Sequence, residues 1–145
     1  MKRRAQGFTL AELVVVIVVA AILAAIVMPQ FSFRDIDAAW FHEQARSAVR
    51  YAQRTAVAQR RCVFVSVTPT QLSLLYGDAG CAITATPVRE LATNQPFVAS
   101  APAGVTLSAT PNTFSFNGLG RPSAAAAIGV GSRTITVNAE TGYVQ

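Results

Sequence analysis

One histidine, two cysteines, one tryptophan and a charged share of only 13% leave this 145-residue chain poorly supplied for chemistry. His42 is the sole imidazole, and apart from Glu43 no carboxylate or cysteine clusters around it, so general acid–base catalysis has few groups to draw on. No nucleophile is patterned with a base and an orienting acid. No Cys or His spacing suits a metal, and no glycine-rich loop is placed to cradle phosphate. The expectation is a protein that is not an enzyme and carries no cofactor or metal. Cys62 and Cys81 form no CxxC motif. In an oxidising compartment they fit either a disulfide, which would close a loop of about 20 residues, or two buried thiols. There is no internal repeat and no sign of a second domain boundary, and the length suits one modest domain.

What the chain has in quantity is apolar sequence, 52% of its residues, and much of it sits in one block. From Phe8 to Met28 the residues FTLAELVVVIVVAAILAAIVM include only Thr9 and Glu12 as polar side chains. At about 1.5 Å per residue such a helix covers the ~30 Å hydrocarbon layer, and its apolar character all round favours lipid or a tight bundle. Lys2, Arg3 and Arg4 precede it. Positive charge beside a first apolar segment stays cytoplasmic, which sends the C-terminal part outward into a periplasm. The formal charge of +5 falls to +2 once those three residues are set aside, so much of the basic balance is a topology signal.

Pro29 interrupts the apolar pattern, and residues Gln30 to Asp37 suit a kink or short break. Asp35 or Asp37 is expected to cap a second helical stretch running from Ala38 to about Arg61. On a helical wheel Phe41, Ala45, Ala48, Ala52 and Ala56 share one side, a face of small residues that asks for a closely packed sheet. Arg46, Arg50, Arg54 and Arg61 fall on the other, with Glu43. His42 is expected on the helix surface, and Trp40 and Phe41 either at a membrane interface or in packing. Beyond Arg61, CVFVSV from Cys62 and QLSLLY from Gln71, separated by Thr68-Pro69-Thr70, predict an antiparallel hairpin. Further strands are expected at Val105 to Ser108, Thr113 to Phe116, Ile128 to Val130 and Arg133 to Val137, with a short terminal piece at Tyr143 and Val144. Residues Gly77 to Gly104 and Gly118 to Ala127 read as loops, and Arg121 as a residue that positions a turn. A long helix followed by strands is an α+β pattern.

An ordinary secretory signal is cut after its apolar core, whereas the glycine here, Gly7, precedes it. The stretch GFTLAELVVVIVVAAILAAIVMP resembles the class III signal of type IV pilins and type II secretion pseudopilins. The positions that match are Gly7, Phe8, Thr9, Leu10, Glu12 and Pro29. The resemblance implies cleavage after Gly7 by a prepilin peptidase, methylation of the new amino group on Phe8, and pairing of the Glu12 carboxylate with the charged N-terminus of a neighbouring subunit. A carboxylate in an apolar run costs up to roughly 3 kcal/mol on insertion scales, less near the interface, and such a pairing would offset it.

The segment ARSAVRYAQRTAVAQRRCVFVSV resembles the helix-into-strand region of the GspH/FimT group of minor pilins and pseudopilins, and with the closing TITVNAETGYVQ it looks most like the MSHA-type minor pilins. That resemblance implies a long kinked N-terminal helix, transmembrane in its first half, packed against a C-terminal antiparallel sheet domain. Its parts would be a leader (1–7), a membrane or fibre-core helix (8–29), the second half of the helix (30–61) and a periplasmic globular domain (62–145). It implies as partners other pilin subunits, the prepilin peptidase, an inner-membrane assembly platform and, before assembly, membrane lipid. The arginine face reads as a solvated surface, as a packing surface in a fibre, or, as in some FimT-like proteins, as a nucleic-acid contact. A basic C-terminal motif of the GRxR kind is missing from the tail ETGYVQ.

Overall fold

The structure is a computed structural model that describes residues 9–27 and 33–145. It divides into two compact units, residues 1–33 and 34–145.

The described part of the first unit holds the helix α1 (Leu10–Val27). Thr9 starts it: its hydroxyl accepts from the Glu12 amide at 3.3 Å, and its carbonyl accepts from the Leu13 amide at 3.2 Å. Thr9 and Glu12 thus hold the first and last positions of a capping box, in which the side chain satisfies an amide that the helix cannot. The described side chains, residues 9–24, are exposed on every side of the helix. Eighteen residues rise about 27 Å, short of the ~30 Å hydrocarbon thickness. Among the described residues no helix is long and apolar enough to cross a membrane. Gly7, Phe8, Met28 and the kink expected at Pro29 lie outside the described residues.

The second unit opens with α2 (Phe33–Gln59), which begins earlier than the sequence suggests. Asp35 lies in its first turn, and Asp35 and Asp37 are inside the helix rather than capping it. Nothing in Phe-Arg-Asp-Ile-Asp breaks a helix, and carboxylates near its start face the positive end of the dipole. The helix closes two residues before Arg61 through a Schellman motif. Arg60 takes a left-handed φ of 49°, the Arg61 amide reaches the Ala56 carbonyl at 3.2 Å, and the Arg60 amide reaches Val57 at 3.3 Å.

Two antiparallel sheets follow. The larger contains β1 (Val63–Val67), β2 (Gln71–Gly77), β3 (Ile83–Pro87), β4 (Val98–Ser100) and β6 (Thr113–Phe116), ordered β3-β2-β1-β6 with β4 also on β2. The smaller, β5-β7-β8, is formed by Leu107–Thr110, Ala126–Val130 and Arg133–Val137. The expected hairpin is there, with Val65 opposite Leu74. Strands β3 and β4 correct the expectation of a loop from Gly77 to Gly104. Both are edge segments on β2, held by backbone pairing, and β3 buries none of its residues fully. Val144 bridges to Val137, so the terminal piece pairs as expected.

The core joins α2 to both sheets. Phe41, Ala45, Ala48, Val49, Ala52 and Ala56 are buried with Val63, Val65, Leu72, Leu74, Phe114, Phe116, Ile128 and Ile135. At alanine positions the helix backbone can approach a sheet closely, which is why the small face predicted from the wheel is the packed one. The fold is α+β: a long helix on antiparallel sheets.

Candidate assembly surfaces

Of the residues expected to matter in processing and assembly, Gly7, Phe8 and Pro29 lie outside the described residues, while Glu12 is on α1 with its side chain exposed. Around it Leu13, Val14, Val15, Val16, Ile17, Val18 and Val19 are each between 44% and 60% exposed. An exposed apolar surface of this extent, on every side of one helix, marks an interaction surface.

The four arginines expected on one open face of α2 have separate tasks. Arg46 Nη1 lies 3.6 Å from Glu43 Oε1. Arg50 Nη2 donates to the Val144 carbonyl at 3.0 Å, tying the helix to the end of the chain. Arg61 Nη2 donates to Gly77 O at 2.8 Å, and its guanidinium sits 4.2 Å from the centroid of the Tyr76 ring. Arg54 alone is exposed with no hydrogen bond or ion pair among the described residues. Three of the four are thus engaged within the domain, and the expected stripe is not a continuous free basic surface.

His42 corrects the surface reading: it is 9% exposed. Position 42 flanks the core face, one turn before Ala45 and Arg46, so its ring turns inward with that flank. Its Nδ1 lies 3.4 Å from Glu43 Oε1 without hydrogen-bond geometry, and His42 Nδ1 and Arg46 Nε are both buried without a hydrogen-bond partner among the described residues. The neighbouring aromatics divide, with Phe41 in the core and Trp40 64% exposed. The turn at Arg121 is organised by Asn117, and the Arg121 side chain links it to Glu140. Asn117 Oδ1 accepts from the amides of Leu119 and Arg121, both at 3.0 Å, and the Arg121 guanidinium meets the Glu140 carboxylate at 2.9 Å.

Cys62, buried where it leads into β1, and Cys81, in the turn after β2, stand Cα to Cα 5.4 Å apart, a separation that a disulfide spans. Among the described residues no group of three or more His, Cys, Asp or Glu side chains could hold a metal. The sequence reading passed over the capping role of Thr9, although the Thr-x-x-Glu spacing carries that signal.

Residues 2–28 match the prokaryotic N-terminal methylation motif. No curated protein sequence matches the chain. Among solved structures, the type IV minor pilin FimU of Pseudomonas aeruginosa is similar, with a TM-score of 0.56 and 19% identity, over 72% of this chain and 84% of FimU. The minor pseudopilin EpsH of the Vibrio cholerae type 2 secretion system is similar with a TM-score of 0.52 and 13% identity, over 71% of this chain and 90% of EpsH. The chain therefore joins an N-terminal methylation motif to a fold of the minor pilin and pseudopilin kind.

Proposed function

We propose that this chain is a minor pilin subunit of an MSHA-type pilus, of the MshC kind, made as a single-pass inner-membrane precursor with its domain in the periplasm. A prepilin peptidase removes Met1 to Gly7 and methylates Phe8, and an inner-membrane platform then draws the subunit into the fibre, or into the complex that primes it. The observation that carries this reading is α1: an apolar helix bare on all sides that lies within the match to the methylation motif. Such a helix is stable in lipid and equally stable among like helices, so it can pass from one to the other. The Glu12 carboxylate would pair there with the charged N-terminus of a neighbour. Cys62 and Cys81 are bonded in this reading, as the oxidising periplasm allows. The MSHA assignment rests on the arginine-containing helix and the tail TITVNAETGYVQ.

A second reading, a type II secretion pseudopilin, is favoured by the likeness to EpsH. The similar folds are those of a pilin and a pseudopilin, in keeping with a structural subunit and not an enzyme. Mass spectrometry of the mature chain with its co-purifying subunits tests both. Cleavage after Gly7 with one added methyl, in company with pilus subunits, is expected. Company of secretion-system subunits selects the second reading, and an intact leader or cleavage after Met28 removes both.

A further inference from the structure

The exposed large apolar side chains of α2 are not spread along it. Ile36 is 54% exposed and Trp40 64%, and no large apolar side chain between Trp40 and Val57 is exposed. Ile36 and Trp40 stand at i and i+4 and so share one side of the helix. Each lies five positions before a buried core residue, Phe41 or Ala45, which at ~100° per residue turns it about 140° away from the core. Asp35 and Asp37, both exposed, stand about 100° to either side of Ile36. With Arg34 they leave this turn a single net negative charge, so it holds no basic cluster to draw nucleic acid or anionic lipid.

Only residues 28–32 separate α1 from α2. A chain spans at most about 3.5 Å per residue, so whatever their path Phe33 lies within about 21 Å of Val27. We infer that, before assembly, Ile36 and Trp40 anchor the start of α2 in the headgroup layer of the membrane, with the core-facing side of the helix turned away from lipid. This rests on the proposed seating of α1 in lipid and adds a second point of contact. An indole suits the headgroup layer because its ring is apolar while its N–H can bond to headgroups or water. Asp35 and Asp37 flank the apolar face and stay in water. Two anchors, one on each side of residues 28–32, hold the domain in one orientation at the surface, and extraction into a fibre has to lift the second as well as the first.

Trp40 is the only tryptophan of the chain, so intrinsic fluorescence reports it alone. The test uses the full-length chain reconstituted in vesicles of phosphatidylethanolamine and phosphatidylcholine. Trp40 emission should be blue-shifted, shielded from aqueous acrylamide, and quenched more by lipids brominated near the glycerol end of the acyl chain than by lipids brominated near its methyl end. Ile36→Glu places a charge in the anchor and should shift the emission to the red and open Trp40 to acrylamide, while Ile36→Leu should leave both unchanged. Position 36 is exposed, so both variants should keep the thermal midpoint of the wild type. Added anionic phosphatidylglycerol should change nothing. Trp40 open to acrylamide in vesicles overturns the inference, and shielding that then appears only in sheared fibres assigns the patch to a neighbouring subunit. Quenching that requires phosphatidylglycerol also overturns it, as does an Ile36→Glu spectrum identical to the wild type. Flotation of the same vesicles keeps the two readings apart: a chain that floats with Trp40 open loses the anchor alone, and a chain that does not float loses the seating of α1 in lipid.

Discussion

The guanidinium of Arg50 donates to the carbonyl of Val144 at 3.0 Å, so a residue from the middle of α2 holds the last strand-like residues in place. Beside it Val144 bridges to Val137, and the Gln145 amide reaches Thr136 at 3.0 Å. A charged donor to a half-buried carbonyl contributes about 1–2 kcal/mol. Arg50→Ala should therefore lower the thermal midpoint of the domain by roughly 4–8 °C. Unchanged melting would place Arg50 outside the stability of the fold.

The same arrangement bears on nucleic acid. With Arg46, Arg50 and Arg61 engaged inside the domain, Arg54 is the one of these four arginines left without a partner among the described residues to neutralise phosphates. Duplex DNA should show no binding to the full-length protein in detergent at physiological salt, measured by fluorescence anisotropy. Binding that weakens steeply as salt rises would restore the FimT-like alternative.

Gly142 meets the turn at Gly120 at close range. Its φ is +68°, and a Cβ there would collide with the Gly120 carbonyl and the Gln53 side chain. Gln53 Nε2 already donates to that carbonyl at 2.9 Å. Backbone strain and lost packing act together, so Gly142→Ala should cost about 2 kcal/mol or more in urea unfolding. A neutral result would mean that the tail can detach from the body without penalty.

Replacing both Cys62 and Cys81 with serine should cost about 3 kcal/mol, the loop-closure value for a span of this length. Reductant should lower the midpoint of the wild-type domain by a similar amount and leave the double variant unmoved. Two titratable thiols in protein taken from the periplasm would show that the cysteines are not bonded.

Much of this fold can be read from residue spacing. Phe41, Ala45, Ala48, Ala52 and Ala56 recur at helical intervals, and all are buried. Val63, Val65 and Val67 alternate, as do Leu72 and Leu74, and across the hairpin Val65 pairs with Leu74 and Val67 with Leu72. Where burial does not decide, spacing says little: in β3 (ITATP) Ile83, Ala85 and Pro87 alternate with threonines but form no fully buried side, and the segment is a strand because β2 offers an open edge. His42 escaped for the opposite reason, since a single polar residue on the flank of a buried face carries no periodicity. Of the four arginines expected on one side of the helix, Arg61 lies beyond its end, and the partners of Arg50 and Arg61, Val144 and Gly77, are 94 and 16 residues away, so one-dimensional spacing holds no trace of them.

Glu12 has two tasks that substitution can separate. Its amide is capped by Thr9, a local role that the backbone fills whatever the side chain at 12 may be. Its carboxylate is exposed on an apolar helix, where the proposed partner is the charged amino group of Phe8 in a neighbouring subunit. Thr9→Val removes the cap and should fray the first turn at a cost of about 1 kcal/mol, with incorporation into fibres largely kept. Glu12→Ala and Glu12→Gln keep the cap and remove the charge. Both should leave cleavage after Gly7 intact while the amount of subunit recovered in sheared fibres falls at least about tenfold, the effect of losing roughly 1.4 kcal/mol or more of pairing. If Glu12→Gln assembles normally, hydrogen bonding at position 12 suffices and the charge is not what joins neighbouring subunits.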